Sequence, residues 1–223
     1  MNKIRLSPST LNLFLDCPRC FWLHINESIH RPRGIFPSLP GGMDIVIKTY
    51  FDKYRVQGKL PPEIDGQVKG KLISDLNLLN RWRNWRTGLE YHDDVLGVTL
   101  FGALDDCLQD KDKYIPLDYK TRGFPPRDGD SEKYYGNQLS CYSLMLRENK
   151  YKSEDFGYLV YYYPETVKEN GKVDFNVKVV KINANPEQAK KTLNDAMKLL
   201  NGPIPSHHSN CEYCSWITNN NSD

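Results

Sequence analysis

The 223-residue sequence lacks any apolar run close to the roughly 20 residues that a membrane-spanning helix requires. Its first residues also lack the apolar core and small-residue cleavage site that mark a secretory signal. A strong charge of one sign is missing as well, because the charged side chains leave a net charge of only +2. We therefore expect a cytoplasmic protein with no membrane partner, in which a nucleic acid would have to bind a local basic surface.

The composition otherwise suits a folded protein, with 39% hydrophobic and 26% charged residues. We predict a single domain over residues 1–217, followed by a polar tail at 218–223. Within the domain we expect an N-terminal helical part (1–89), a central sheet with one helix (90–184), and a C-terminal helix with a CxxC pair (185–217).

Hydrophobic periodicity and helix-breaking residues predict the elements along the chain. We predict one helix that begins at Ser7-Pro8 and others at about residues 44–56, 67–85, 132–147 and 186–200, with a loop at 31–42. Strands are predicted at about residues 96–108, 114–121, 156–163 and 175–182, where β-branched and aromatic residues are concentrated. This order predicts an α/β fold whose sheet begins with a β-hairpin.

Three charged side chains of the hairpin form a candidate catalytic centre. Asp118 and Lys120 are two residues apart, so on a strand they point to the same face, and Asp105 can reach that place from the neighbouring strand. Two converging carboxylates suit Mg²⁺ or Mn²⁺, and Lys120 would orient an attacking water or stabilise developing negative charge. The alternative is a surface ion pair, which is disfavoured because Asp118 follows Ile115 and Leu117 in a strand that has the pattern of a central one.

Three motifs occur in a fixed order in this region: Gly102 to Asp105, Asp118 to Lys120, and Gln138 to Tyr142. As an ordered set they resemble the PD-(D/E)XK nuclease superfamily, especially the RecB-like and CRISPR-associated RecB-like exonucleases. The resemblance implies a restriction-endonuclease-like fold, in which helices flank a mixed central sheet, and a metal-dependent deoxyribonuclease. It also implies that Gln138 and Tyr142, which share one helix face, position Lys120 and the DNA backbone. Viewed alone, the same pattern also fits a helix that packs Tyr142 into a core.

By the same resemblance we expect an exonuclease on single-stranded DNA or DNA ends, in repair, recombination or CRISPR spacer acquisition, with other repair or CRISPR proteins as partners. One feature departs from the family pattern. Many relatives supply a histidine to the metal from the first helix, and this chain has none between His30 and His92. Asp44 stands at that general place, either as a third acidic metal ligand or as the N-cap of its helix. The departure keeps open a weakly active or inactive DNA-binding subunit, and an RNA or tRNA nuclease is a further alternative.

Four cysteines form two CxxC pairs, Cys17 with Cys20 and Cys211 with Cys214. In a reducing compartment this spacing predicts a structural metal site that holds both ends of the domain together, with Zn²⁺ or an iron–sulfur cluster. The resemblance favours a 4Fe-4S cluster, although the related exonucleases usually have one N-terminal and three C-terminal ligands, so zinc stays open. His207 and His208 are alternative ligands. The two single cysteines, at 107 and 141, are expected to be packing residues.

The run from Arg81 to Arg86 alternates cations with indole rings. We expect Trp82 to belong to the core, while Trp85 and Arg86 are candidate contacts to single-stranded DNA through stacking and phosphate binding. In the hairpin, we expect Asp106 to point away from Asp105 and to be solvated.

Overall fold

The computed structural model describes residues 4–32, 34, 38–206, 208 and 210–215. In this part of the chain the helices are α1 (Pro8–Asp16), α2 (Pro18–Asn26), α3 (Ser38–Val56), α4 (Leu76–Arg83), α5 (Asp130–Glu148) and α6 (Pro186–Leu200). The strands are β1 (Ile4–Leu6), β2 (Lys71–Leu72), β3 (Leu89–Asp93), β4 (Val98–Gly102), β5 (Asp106–Asp110), β6 (Lys113–Thr121), β7 (Phe156–Val167) and β8 (Val173–Asn183). The tail at 218–223 lies outside the described residues.

The strands form two sheets. The larger has the order β2-β5-β6-β7-β8, in which β6 and β7 run parallel and the other neighbours antiparallel. Helix α5 makes the crossover that two parallel strands require. The smaller sheet has the order β1-β4-β3, with β1 and β4 parallel. The predicted mixed sheet with flanking helices is therefore confirmed.

Helices pack against both faces of the larger sheet, because its side chains alternate between two apolar clusters. On β6, Leu117 and Tyr119 pack with Phe51 of α3 in one cluster. On the neighbouring β7, Leu159 and Tyr161 belong to the other cluster, which contains the apolar residues of α5. Because successive side chains of a strand point to opposite faces, the residues on either side of Tyr119 in β6 face α5.

Two helix starts follow the capping signals of the sequence. The Ser7 hydroxyl accepts from the Thr10 amide at 3.2 Å, and the Thr10 hydroxyl accepts from the Ser7 amide at 2.6 Å, which completes a capping box before Pro8. Before α6, the Asn185 side chain accepts from the Gln188 amide at 2.9 Å. Both predicted starts are confirmed.

The strand predicted at 96–108 is in fact two strands in different sheets. The chain leaves β4 after Gly102 and enters β5 at Asp106. Between them the Leu104 amide donates to the Trp82 carbonyl of α4 at 2.9 Å, outside either sheet. This contact ends the first ladder and turns the chain, so Asp105 lies on a bend directly before β5.

The early helices also differ from the prediction. The helix predicted at 67–85 is shortened to α4, because the Asp75 side chain caps it by accepting from the Leu78 amide at 2.9 Å. Helix α3 begins at Ser38, and Asp44 therefore lies within it and is not its N-cap. Strands β1, β2 and β3 and helix α2 were not predicted. None of the helices in the described residues has the length and apolar character needed to span a membrane.

Asp106 is completely buried, and the expectation that it is solvated was wrong. Its carboxylate accepts from Arg55 Nη2 at 2.7 and 2.5 Å, from Arg83 Nη2 at 2.9 Å and from the Tyr119 hydroxyl at 2.5 Å. Asp52 completes this network by pairing with both arginines, at 3.1 and 2.8 Å. The network joins α3 and α4 to β5 and β6, because each of these elements supplies a member.

We predict that Arg55→Met lowers the free energy of unfolding by about 3 kcal/mol or more, because it removes the cation whose Nη2 contacts both oxygens of the buried Asp106 carboxylate. Urea denaturation followed by circular dichroism measures the change. Lys53→Met is the matched control, since Lys53 is exposed on the same helix and its loss should cost less than about 0.5 kcal/mol. Equal stability of the two variants would contradict the prediction.

Candidate functional site

Asp118 and Lys120 leave β6 on the face that α5 covers, as their two-residue spacing predicted. The Lys120 ammonium forms an ion pair with Asp118 Oδ2. Gln138 of α5 donates from Nε2 to Asp118 Oδ1 at 2.9 Å and accepts from Lys120 Nζ at 3.4 Å. Three of the sequence-predicted side chains therefore form one contiguous group.

Asp105 reaches the same group from the bend before β5. The antiparallel register pairs Asp106 with Leu117, so Asp105 lies beside Asp118 where the two strands meet. The Tyr119 amide donates to Asp105 Oδ2 at 3.3 Å, which fixes the carboxylate against β6. Asp105 and Asp118 therefore lie close together, as predicted for a β-hairpin.

Asp118 is a buried carboxyl group beside a second acid. Only 1% of the residue is exposed, and burial raises its pKa. The charge of Lys120 lowers the pKa, whereas Asp105 raises it through its charge and a side-chain hydrogen bond, and the result is a pKa of about 7. Asp118 Oδ2 is buried and accepts no well-directed hydrogen bond among the described residues. Two adjacent carboxylates in this state fit a hard divalent cation, which would relieve their repulsion.

Lys120 keeps its charge in spite of burial. Burial alone would lower its pKa, but the charge and hydrogen bond of Asp118, together with the charge of Asp105, outweigh burial and hold the pKa above the ordinary lysine value. The ring of Tyr135 lies 4.5 Å from Lys120 Nζ and adds a cation–π contact. The centre therefore contains a fixed positive charge beside its two acids.

Tyr142 connects α5 to the bend that carries Asp105. Its hydroxyl accepts from Gln138 Nε2 at 2.9 Å and donates to the Ala103 carbonyl at 2.8 Å. Gly102 makes room for the ring, because a Cβ there would lie 3.0 Å from Tyr142 Cε1. Tyr142 is also 4% exposed and belongs to the core, so its packing role is confirmed, while a role in positioning DNA stays a prediction.

Sequence reasoning missed Lys48, the other lysine at the centre. Its Nζ lies 2.8 Å from Asp44 Oδ2 and 2.8 Å from Asp105 Oδ1. Burial opposes the charged form, but the two carboxylates raise the pKa of Lys48 above its ordinary value. The i, i+4 spacing of Asp44 and Lys48 was a signal for a helical ion pair, although nothing local indicated that Asp105 would complete it.

Asp44 is connected to the centre through its ion pair with Lys48. Among the described residues, the single group of three or more acidic, cysteine or histidine ligands with atoms within 4.8 Å of one another is the cysteine cluster. Asp44, Asp105 and Asp118 thus do not form a compact three-carboxylate group. A role of Asp44 as a third acidic metal ligand stays a prediction from the sequence.

The cysteine cluster consists of the buried residues Cys17, Cys20, Cys211 and Cys214. Their sulfur atoms all lie within 4.8 Å of one another, and three pairs are separated by 3.5, 3.6 and 3.8 Å. Four converging thiols of this kind fit a structural metal group, as the two CxxC pairs predicted. His207 lies outside the described residues, and His208 accepts a hydrogen bond from the Cys211 amide through its backbone carbonyl at 3.0 Å.

Contacts between α2 and the chain that follows α6 bring the two pairs together. Trp22 donates to the Gly202 carbonyl at 3.0 Å, and Arg19 donates to the Pro205 carbonyl at 3.2 Å. Arg31 donates to Cys211 Sγ at 3.4 Å, so a positive charge faces the thiols. The remaining cysteines, at 107 and 141, are buried apart from the cluster, as expected of packing residues.

Trp85 and Arg86 do not belong to this centre. Trp85 is 72% exposed and the Arg86 guanidinium lies 4.9 Å from its ring, just after α4. A second such pair was not predicted: Arg122 lies 4.7 Å from the ring of Phe124, which is 55% exposed and only four residues beyond Lys120. Both pairs offer an aromatic face beside a cation.

Residues 55–218 match the family model of the PD-(D/E)XK nuclease superfamily, which is more than half of the chain. The matched range includes Asp105, Asp118, Lys120 and one cysteine pair. The search of curated proteins found no match.

We predict that Cys214→Ala removes the metal group from the cysteine cluster and destabilises the protein. A metal site that links residues 191 apart in sequence, such as Cys20 and Cys211, reduces the conformational entropy of the unfolded chain. By the loop-closure relation this raises the free energy of the unfolded state by roughly 5 kcal/mol. Metal analysis and urea denaturation measure both effects. Cys141→Ala, at a buried thiol outside the cluster, is the control and should keep its metal. Full metal content in the Cys214 variant would contradict the prediction.

Proposed function

The chain belongs to the PD-(D/E)XK nuclease superfamily, a group of metal-dependent nucleases, and on this premise we propose that it hydrolyses DNA phosphodiesters with Mg²⁺ or Mn²⁺. The single observation that carries the proposal is the group formed by Asp105, Asp118 and Lys120 under Gln138. A surface ion pair would leave these side chains in water, whereas Asp118 is buried beside a second acid.

Asp105 and Asp118 are the proposed metal ligands, because they supply adjacent carboxylate oxygens. A divalent ion bound there would polarise the scissile phosphate and lower the pKa of the attacking water. Lys120 would hold that water or the negative charge that develops on the phosphate, since its ammonium stays charged. Gln138 and Tyr142 are positioning residues that keep Lys120 and the Asp105 bend in place.

We propose that the substrate is single-stranded DNA or a DNA end, cut exonucleolytically. Support comes from the exposed aromatic rings with adjacent arginines, Trp85 with Arg86 and Phe124 with Arg122. Unpaired bases can stack on such rings while the guanidinium binds phosphate. As in the RecB-like exonucleases, the biological setting would be repair, recombination or CRISPR spacer acquisition, with proteins of those systems as partners.

A DNA-binding subunit with little or no activity is the competing function. It is favoured by two features of α3, the missing histidine and the pairing of Asp44 with Lys48. Cleavage of RNA is a further alternative, because the centre acts on the phosphodiester that both nucleic acids share.

We predict that Lys120→Ala lowers the rate of DNA cleavage by about 100-fold or more, because it removes the charge beside the reacting phosphate. The assay uses labelled single-stranded DNA, linear duplex, closed circular DNA and RNA with Mg²⁺ or Mn²⁺. Cleavage of linear DNA that spares closed circles of both single-stranded and duplex DNA would identify an exonuclease. Lys113→Ala, at the exposed end of the same strand, is the control and should keep its activity. A wild-type protein that cuts none of these substrates would contradict the proposal that the chain is a nuclease.

We predict that Mn²⁺ binds about tenfold more weakly at pH 6 than at pH 8. The pKa of Asp118 in the metal-free protein is about 7, so below pH 7 the Asp118 carboxyl is protonated in most molecules. This proton must leave before the ion binds. Calorimetric titration at the two pH values measures the dissociation constants, and Asp118→Asn should abolish this binding. Equal constants at both pH values would show that Asp118 does not titrate as expected.

For the cysteine cluster we propose a single tetrahedral ion, zinc, with a 4Fe-4S cluster as the alternative outcome. A tetrahedral ion with metal–sulfur bonds of about 2.3 Å requires sulfur separations of about 3.8 Å, close to the 3.5 to 3.8 Å found for three pairs. A four-iron cluster spreads its thiolates further, since each binds a different iron. One zinc per chain in a colourless sample supports the proposal, and about four irons in a brown sample refutes it.

A further inference from the structure

Lys48 is placed unusually for a lysine on the outer layer of helices. It extends from α3 to the bend before β5, and its ammonium lies 2.8 Å from Asp44 Oδ2 and 2.8 Å from Asp105 Oδ1. Its side chain is only 20% exposed. A pair with Asp44 alone would be an ordinary helical ion pair that contributes little to stability. The second contact links α3 to the proposed metal ligand, and it is the feature to be explained.

The charges around the centre show what this contact does. Asp44, Asp105 and Asp118 contribute three negative charges, and Lys48 with Lys120 contribute two positive charges. One divalent ion therefore changes the net charge of the group from −1 to +1, whereas two ions would change it to +3. Such an excess of positive charge in a largely buried group is unfavourable.

The geometry agrees with the charge count. In two-metal centres the ions lie roughly 3.5 to 4 Å apart and share carboxylate ligands. The position at which a second ion would bridge Asp44 and Asp105 is the one that Lys48 Nζ holds. On the opposite side, Lys120 is paired with Asp118 Oδ2. With one carboxylate oxygen of each acid paired to an ammonium group, the adjacent carboxyl groups of Asp105 and Asp118 are left to bind one ion.

We infer that Lys48 is a built-in cation that takes the place of a second metal ion, so that the centre binds one divalent ion; the inference rests on the proposed metal-dependent function. In this arrangement Asp44 is the anchor of Lys48 and is not a metal ligand. Lys48 is a positioning residue, because it orients Asp105 and sets the number of ions.

Mn²⁺ titration of protein with a loaded cysteine cluster tests the inference, with unbound Mn²⁺ counted by electron paramagnetic resonance. The wild type should bind one ion per chain at the centre. Lys48→Met keeps the length of the side chain and removes its charge, so it should bind the first ion at least tenfold more tightly and admit a second ion. Lys53→Met, exposed on the same helix, should behave as the wild type.

Asp44→Asn separates the two roles of Asp44. If Asp44 only anchors Lys48, the Asp44→Asn variant should bind one ion with an affinity within about threefold of the wild type. If Asp44 is a metal ligand, the variant should bind the ion at least about tenfold more weakly. The inference is overturned if the wild type binds two ions, if Lys48→Met changes neither number nor affinity, or if Asp44→Asn loses tenfold.

The outcomes also distinguish this inference from the proposed function. Asp118→Asn should lose the ion, which identifies the counted ion as that of the catalytic centre. If the wild type binds no Mn²⁺ there, the proposed function and the inference fail together. If it binds one ion that depends on Asp118, and Lys48→Met has no effect, the inference fails alone.

Discussion

The structure depends on one constraint, which is the burial of negative charge where β5 begins beside β6. Asp105 and Asp106 are adjacent in sequence and are held by different cations from the same helix. Arg55 of α3 neutralises Asp106, and Lys48 of α3 pairs with Asp105. Helix α3 is therefore fixed at two points along its length by two adjacent acidic residues at the start of β5. The stability of the sheet and the geometry of the candidate centre have a common electrostatic origin.

Local sequence patterns predicted the parts of the centre that belong to one element. The two-residue period of a strand placed Asp118 beside Lys120, and the four-residue period of a helix placed Gln138 beside Tyr142. Lys48 and the arginine partners of Asp106 could not be predicted in this way, because their contacts join different elements that are distant in sequence. Arg55 is 51 residues from Asp106, and Arg83 is 23 residues from it. A pattern read along one element cannot identify a cation that arrives from another.

The cysteine cluster shows the same division between local and long-range information. Each CxxC spacing indicated a metal site, and the four sulfurs do converge. Their convergence is produced by the packing of α2 against the end of α6, through contacts such as Trp22 to Gly202. Those contacts depend on the whole fold, and no sequence pattern specifies the sulfur separations on which the proposal of zinc rests.

Tyr119 has a consequence for how the centre can move. Its amide holds Asp105 on one side, and its hydroxyl holds Asp106 on the other. Its neighbours in the strand, Asp118 and Lys120, belong to the centre itself. The amide protons of this strand should therefore exchange with solvent among the slowest in the molecule, because local opening of the centre would break the buried network at the same time. Substrate entry must then rely on motion of the surrounding surface, while the acids and the lysine stay rigid.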